Sequence, residues 1–246
     1  MRAAALWLIA TGLIVATQAA AQYRENPVTN GGTISGEIRV VGELPALPPQ
    51  PVFKHQEFCG TSLADQRLLV GKSGELQNAV VYLTDIREGK AAPVKAPVKL
   101  DNMACAFVPH VFSASRGQSL EIHNSDPLLH DAHAIIGSRT LFNVAIPKGK
   151  TITKPLRDAG LIHINCNVRH TWMHAYGMVV EHPYHAVTTP DGRFHLSDVP
   201  PGVWNLRVWH ELLGGTDQQV RVQAGQDTSV KIDLQAVAVD GAAEVP

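Results

Sequence analysis

The sequence is poor in charge of either sign, and this scarcity excludes several classes of protein. Lys and Arg together number 21 and Asp and Glu together 22 among 246 residues, so the net charge is −1. Such a balance provides neither the basic surface that holds nucleic acid nor an acidic tail. Aromatic residues make up only 6% of the chain, but hydrophobic residues make up 45%, which is enough for a packed core. The sequence therefore predicts a globular protein that does not bind nucleic acid.

No apolar run after residue 22 is long enough to cross a bilayer. Residues 1–21 combine Arg2, an apolar run over 3–16 and a small-residue site at 19–21, which is typical of a signal peptide cleaved before Gln22. The alternative is an uncleaved membrane anchor. A lipoprotein anchor is not expected because no cysteine lies near the cleavage site. Twin-arginine export is not expected either, because the segment has no Arg-Arg pair. We expect a soluble, exported protein with no membrane span, located in a bacterial periplasm.

Cysteine is scarce and odd in number, with three residues in the chain. An exported protein can form disulfides, but three cysteines leave at least one unpaired. Cys59 and Cys105 lie in loop-like or strand-start settings, whereas Cys166 ends a predicted strand beside histidines. We predict a Cys59–Cys105 disulfide and a free Cys166. The alternative is a structural pair of Cys105 with Cys166.

Convincing amphipathic helices are also absent, while Gly (20) and Pro (16) are frequent. Period-two alternation of apolar residues instead predicts short strands joined by turns, and therefore an all-β protein built of β-sandwiches. A low-complexity, proline-containing segment at 90–99 predicts an exposed connector. The final residues, 237–246, show no periodicity and are expected to form a flexible tail. The predicted strands cover residues 31–41, 78–83, 107–114, 119–124, 132–136, 151–155, 161–166, 175–181, 186–189, 193–196, 203–210, 217–222 and 227–234.

Histidine is the abundant exception, with 12 residues in the chain. In the strand 161–166, alternation places Cys166 on the apolar face and His163 on the opposite, solvent-facing one. The same logic places His123 outside the core. Histidine is the commonest metal ligand in proteins. The remaining histidines near Cys166 are therefore the candidates for a metal site.

Cys166, His170 and Met173 lie within eight residues, and His130 precedes them by 36. This mixture of thiolate, imidazole and thioether ligands favours copper over calcium or magnesium. One loop can supply the first three ligands, but a trigonal site needs a second imidazole from a neighbouring strand. Two His and one Cys with a weak axial Met is the ligand set of blue-copper electron-transfer sites. The alternative is a buried Cys and Met in a β core with unrelated surface histidines.

The pattern Asn124-Ser-Asp-Pro-Leu-Leu-His130 followed by Cys166-x3-His170-x2-Met173 resembles the cupredoxin family, which includes plastocyanin, azurin and amicyanin. The resemblance covers about residues 96–181. It implies a Greek-key cupredoxin β-sandwich at 95–181 that holds one type 1 copper ion. The implied ligands are His130, Cys166, His170 and Met173. The dinuclear copper-A centre needs a second cysteine where Arg169 or its neighbours stand, and none is present.

Two details keep other ligands open. In the cupredoxins that this chain resembles, the usual pattern is Cys-x2-His-Pro-Trp-Met. The loop here is therefore one residue longer before the imidazole. His174 is therefore a second choice beside His170, and His133 a second choice beside His130. Because a ligand histidine usually needs a partner for its other ring nitrogen, we expect Asn124 and Asp131 to support the ligands.

A second resemblance brackets the first. Four stretches are similar to carboxypeptidase regulatory-like domains, which are small prealbumin-like β-sandwiches without catalysis of their own. These stretches are residues 32–38, 76–83, 186–194 and 196–206. The resemblance implies a smaller sandwich made of residues 31–90 and 183–236, interrupted by the cupredoxin-like segment.

The function expected from these features is electron transfer by a periplasmic mononuclear blue-copper protein. Its partner would be a redox protein such as a c-type cytochrome or an oxidoreductase. Copper storage or delivery is an alternative, and so is a scaffold that binds a partner or carbohydrate and has a vestigial copper site. A copper oxidase or nitrite reductase is disfavoured because no His-x-His pair occurs. We therefore expect a protein that is not an enzyme.

Overall fold

The computed structural model describes residues 23–236, so the predicted signal peptide at 1–21 and the predicted tail at 237–246 lie outside the described residues. Strands dominate the described part, which confirms the all-β class, and its one helix, α1 (Gln56–Cys59), is a single turn. No helix within residues 23–236 has the length and apolar character needed to span a membrane. The strands are β1 (Arg24–Glu25), β2 (Gly32–Val41), β3 (Gln50–Pro51), β4 (Ser62–Leu63), β5 (Val80–Leu83), β6 (Glu88–Gly89), β7 (Val98–Met103), β8 (Ala106–Val108), β9 (Val111–Ser115), β10 (Ser119–Asn124), β11 (His130–Ile136), β12 (Arg139–Ile146), β13 (Thr151–Pro155), β14 (Gly160–Asn165), β15 (His174–Val180), β16 (His185–Val187), β17 (Arg193–Val199), β18 (Gly202–His210), β19 (Gly214–Val222) and β20 (Asp227–Gln235).

The middle of the chain forms two sheets, which we call the middle sandwich. Their strand orders are β13-β10-β7-β8 and β12-β11-β14-β15-β9. The alternation read from the sequence explains the packing, because Leu120 and Ile122 of β10 and Ile162 and Ile164 of β14 all lie in one buried core. This core also contains Cys166.

The two ends of the described chain form a second pair of sheets, which we call the outer sandwich. Their orders are β16-β5-β18-β19 and β17-β2-β20. Strand β2, from the start of the chain, pairs in parallel with β20, from its end, and β5 pairs with both β16 and β18. A separate core, which includes Ile34, Leu83 and Leu206, holds these sheets together.

The two sandwiches pack against each other through a small apolar cluster of Val80, Val111, Met178 and Val180. Hydrogen bonds border this cluster. The His185 ring lies 2.8 Å from the Ser113 hydroxyl through Nδ1 and 3.1 Å from the Ser115 hydroxyl through Nε2. Polar and apolar contacts thus both fix the face of β9 that meets the outer sandwich.

The predicted disulfide between Cys59 and Cys105 is present, and Cys166 is free and buried. The location of the disulfide, however, differs from the expectation. We placed Cys59 in the outer sandwich, but Val52 and Cys59 belong to the core of the middle sandwich. Residues 50–63, which we call the strap, leave the outer sandwich and are tied across the middle one by this bond.

Two strands of the middle sandwich were missing from the sequence prediction. β12 has mostly exposed and half-buried residues, so it lacks the apolar alternation on which the prediction relied. β7 follows directly on the proline-containing segment, and its Val98 and Lys99 were assigned to the connector. The predicted strand 107–114 is divided into β8 and β9, because Pro109 and His110 interrupt it.

Candidate metal centre

Three predicted ligands come together in the core of the middle sandwich. His130 begins β11, Cys166 follows β14, and His170 lies in the loop between β14 and β15. The Cys166 Sγ atom is 3.8 Å from Nδ1 of His130 and 3.6 Å from Nδ1 of His170, and the two Nδ1 atoms are 3.1 Å apart. Both imidazoles are fully buried. One sulfur and two nitrogens therefore converge on one point, each through an atom able to bind a metal.

Asp126 orients the first imidazole. Its Oδ2 atom lies 3.0 Å from Nε2 of His130, so the Nε2–H donates to the carboxylate and Nδ1 is left with its lone pair facing Cys166. The same carboxylate accepts hydrogen bonds from the backbone N–H groups of Ala104, at 2.7 Å, and Cys105, at 2.9 Å. Asp126 thus fixes His130 relative to the disulfide-bonded loop.

Backbone hydrogen bonds close the loop from Cys166 to Met173. The Cys166 N–H donates to the carbonyl of Met173 at 3.3 Å, and the Met173 N–H donates to the carbonyl of His170 at 2.8 Å. The Asn167 N–H donates to the Asp131 carboxylate. Arg169, directly before His170, adopts a left-handed conformation with φ of 68°.

Within this loop, the side chains of Trp172 and Met173 point into the core of the middle sandwich. Met173 is 2% exposed and belongs to the same buried cluster as Cys166. The Trp172 indole N–H donates to the carbonyl of Cys105 at 3.0 Å, and its ring lies 5.2 Å from that of His170. The predicted axial sulfur is therefore in the same core as the three converging ligands.

Burial controls the protonation of the three groups. It lowers the pKa of His170 to about 4, with a smaller contribution from the neighbouring His130. Burial also lowers the pKa of His130, although Asp126 opposes this shift. The pKa of the Cys166 thiol rises to about 12 because the thiolate would be desolvated. Both imidazoles are thus neutral at pH 7, and the sulfur needs a cation beside it to become a thiolate.

The second-choice ligands point elsewhere. His133 is held by Thr140 through Nε2 at 2.8 Å and by the Asn167 amide through Nδ1 at 2.8 Å. His174 starts β15 on the face opposite to Ala175, which lies in the core with Cys166. Neither ring joins the cluster of Cys166, because alternation along its strand directs it away from the core.

The expected supporting residues also need correction. Asn124 does not touch a ligand imidazole: its amide donates to the carbonyls of Leu128, at 2.8 Å, and Ile146, at 2.7 Å. Asp131 binds the loop backbone, as described above. The Asn124 side-chain oxygen accepts from the Asp126 N–H at 3.0 Å, so Asn124 shapes the turn that presents Asp126.

Of the two histidines that the sequence placed outside the core, His163 differs from the prediction, whereas His123 agrees with it. His163 was expected in solvent, but it is half-buried and stacks on Tyr176 at 4.7 Å between ring centroids. His123 is half-buried beside the Thr151 hydroxyl, away from the cluster of Cys166. The strap adds a residue that sequence reasoning missed, because the His55 ring lies 5.5 Å from the His170 ring. Its only sequence signal was its place near Cys59.

Comparisons with known proteins find similar solved structures for about a third of this chain. No protein-family model matches the sequence, and no curated protein matches it. A Cu-containing nitrite reductase (NirK) from Thermus scotoductus SA-01 is similar at 21% identity and a TM-score of 0.32, over 34% of this chain and 22% of its own. A point mutant of amicyanin in its reduced state is similar at 16% identity and a TM-score of 0.32, over 35% of this chain and 83% of its own. A purple cupredoxin from Nitrosopumilus maritimus is similar at 18% identity and a TM-score of 0.30, over 33% of this chain and 98% of its own. The chain thus spans about a fifth of the nitrite reductase, and about two thirds of this chain lies outside each similarity.

Proposed function

We propose that the protein is a mononuclear copper protein that carries electrons between redox partners. The observation that carries this proposal is the convergence of Cys166 Sγ with the Nδ1 atoms of His130 and His170. Two imidazoles, one thiolate and a weak thioether, here Met173, form the set that binds type 1 copper. Both imidazoles are neutral at pH 7 and present unprotonated nitrogens, so the residues fit the ion.

A bound copper ion would supply a one-electron couple between Cu(II) and Cu(I). The chain's part is to keep the ligands still during that exchange. His130 is held by Asp126, the loop is closed by Met173 and Asn167, and Cys166 lies among buried apolar side chains. Burial also shields the sulfur from oxidants in solution. A buried ligand set that is held in this way by hydrogen bonds favours electron transfer over binding and release of a substrate.

We propose the partner and the location on separate grounds. A redox protein such as a c-type cytochrome or an oxidoreductase would exchange electrons with the bound ion. The disulfide between Cys59 and Cys105 is consistent with an oxidising compartment, such as the periplasm predicted from residues 1–21. For the domains, we propose a cupredoxin-like unit at 95–181 within a sandwich made of 31–90 and 183–236, supported by the pairing of β2 with β20.

The test is the visible and electron paramagnetic resonance spectrum of the mature protein after addition of Cu(II). We expect an intense thiolate-to-copper band and a narrow copper hyperfine splitting, because the thiolate shares the unpaired electron. Cys166→Ser should abolish both signals, and His130→Ala and His170→Ala should each remove most of them. Met173→Leu should keep the colour and shift the reduction potential.

His133→Ala is the matched control, because His133 lies on the same strand as His130 but is bonded to Thr140 and Asn167. It should leave both signals unchanged. Copper binding without a thiolate band would overturn the electron-transfer function in favour of storage or delivery. A protein that binds no copper would favour the scaffold alternative.

A further inference from the structure

A second group of metal-ligating side chains lies between the two sandwiches. His110 directly precedes β9, His174 begins β15, and Glu211 lies in the turn between β18 and β19 of the outer sandwich. Their ligand atoms all lie within 4.8 Å of one another. The His110 Nε2 atom is hydrogen-bonded to Oε1 of Glu211, and Nε2 of His174 is 3.8 Å from Oε2 of the same residue.

The environment of Glu211 favours a bound cation. Its side chain is 3% exposed, and a buried carboxylate is costly unless it is fully compensated. The nearby cation Arg67 is already committed, because its guanidinium binds Asp65 at 2.6 Å and 3.0 Å. A divalent ion between the three side chains would supply the carboxylate with positive charge that Arg67, bound to Asp65, does not supply.

The dimensions are compatible with such an ion. Zinc binds histidine nitrogens and carboxylate oxygens at roughly 2.0–2.2 Å, so two tetrahedral ligand atoms lie about 3.4 Å apart. Because the ligand atoms of the three side chains lie within 4.8 Å of one another, no two of them would have to approach by more than about 1.4 Å to bind the ion. The turn that carries Glu211 is itself fixed, because the Leu212 N–H donates to Nδ1 of the buried His210 at 3.3 Å.

A cleft gives access to this group. It has a volume of about 290 Å³ and is lined by His110, His174, Met173 and Asp65, among other residues. His110 and His174 can therefore be reached by an ion from solvent, and a water in the cleft could complete the coordination. Met173 also lines this cleft, so both candidate sites border it.

We propose that His110, His174 and Glu211 form a second metal site, which binds one divalent first-row transition-metal ion between the two sandwiches. Two imidazoles and one carboxylate without sulfur suit zinc or Cu(II), whereas the thiolate and thioether near His130 suit Cu(I). This site does not rest on the proposed electron-transfer function, because it shares no ligand with the cluster of Cys166.

The test is a calorimetric titration of Zn(II) into the mature full-length protein carrying Cys166→Ser, which removes the competing thiolate. We expect one zinc ion per chain and a higher midpoint of thermal unfolding with zinc, because the ion links the two sandwiches. Glu211→Gln and His110→Ala should each weaken zinc binding at least about 100-fold, since even partners outside the ligand shell cost 10–100-fold.

His133→Ala in the same background is the matched control and should leave zinc affinity unchanged. Circular dichroism of each variant checks that it folds, and the near-isosteric Glu211→Gln removes the charge with little change of shape. The proposal is overturned if the Cys166→Ser protein binds no zinc. It is also overturned if zinc affinity is the same with and without Glu211→Gln, because the zinc would then occupy surface histidines.

Discussion

The two candidate metal clusters are neighbours in the structure but differ in how they are built. Cys166, His130 and His170 belong to one sandwich and lie in its apolar core. His110 and His174 come from the same sandwich but meet Glu211 of the other one beside an open cleft. The first cluster contains sulfur and is buried. The second contains a carboxylate and is reached from solvent.

This difference arises from a single point in the sequence. Met173 lies in the core, while His174, the next residue, starts β15 on the face that meets the outer sandwich. Tyr176, two residues on, packs into the cluster between the sandwiches, whereas Ala175 lies in the core. Because a strand directs successive side chains to opposite faces, one strand end can serve two sites of different chemistry.

The disulfide offers the largest test of this contrast. Replacing both Cys59 and Cys105 by serine should lower the free energy of unfolding by about 4 kcal/mol, the chain-entropy value for a sequence separation of 46. The strap carries His55 against His170, so copper binding at Cys166 should also weaken. Zinc affinity at Glu211 should change less, because no strap residue is among its ligands.

Denaturant unfolding measured on the oxidised protein gives the first quantity, with the wild-type protein under reducing conditions as the control. The double-serine variant and the reduced wild-type protein should lose a similar free energy of unfolding relative to the oxidised wild-type protein. A fall of less than about 1 kcal/mol would mean that the strap is held by packing of Val52 and its neighbours rather than by the bond.

The sequence predicted the first cluster better than the second for a physical reason. Cys166, His170 and Met173 are eight residues apart or fewer, so one loop brings them together whatever the rest of the fold does. The burial of Cys166 also followed from local alternation. Glu211, by contrast, is 101 residues from His110, and only the packing of two sandwiches brings them together.

The supporting residues show a second limit. Asn124 and Asp126 are both polar and lie close to His130 in sequence, and either could have bonded its ring. Which one does so depends on the path of the turn, in which the Asn124 side chain binds the Asp126 N–H. Spacing alone does not contain that path. β12 was missed for a different reason: it has few buried residues and so lacks the apolar alternation that predicted its neighbours.

Acidification tests the interface that supports the second cluster. Burial lowers the pKa of His185 to about 4, with His182 and Lys90 adding to the shift. The unfolded state therefore takes up a proton near pH 6.5, before the folded state does. The contribution of His185 to the free energy of unfolding is fully present above this pH. It is lost as the pH drops from 6.5 to 4, by at most about 3 kcal/mol.

His185→Gln, which keeps a polar group near Ser113 and Ser115, should remove this part of the pH dependence. Free energies of unfolding of both proteins at pH 7 and pH 5 provide the measurement. The control is His195→Gln, at an exposed position of β17. If His185→Gln and wild type lose equal stability on acidification, the ring is not buried as a neutral group, and the interface differs from that described.

The smallest effect concerns the orientation of one ligand in the first cluster. In Asp126→Asn, an oxygen in the place of Oδ1 can still accept from the backbone N–H of Ala104, while the amide N–H takes the place of Oδ2, which faces Nε2 of His130. The ring would then accept at Nε2 and carry its proton on Nδ1, the atom that faces Cys166. Copper affinity, measured by competition with a chelator, should fall 10–100-fold, or about 1.4–2.7 kcal/mol.

Asp101→Asn is the matched control for this substitution, because the Asp101 carboxylate accepts from the Ser125 N–H and hydroxyl in the same turn but does not touch the imidazole. It should leave copper affinity within about twofold of wild type, a difference of about 0.4 kcal/mol. Equal losses in both variants would show that the turn, rather than the protonation of His130, sets the affinity. Zinc binding at Glu211 should not respond to either change, because neither aspartate is among its ligands.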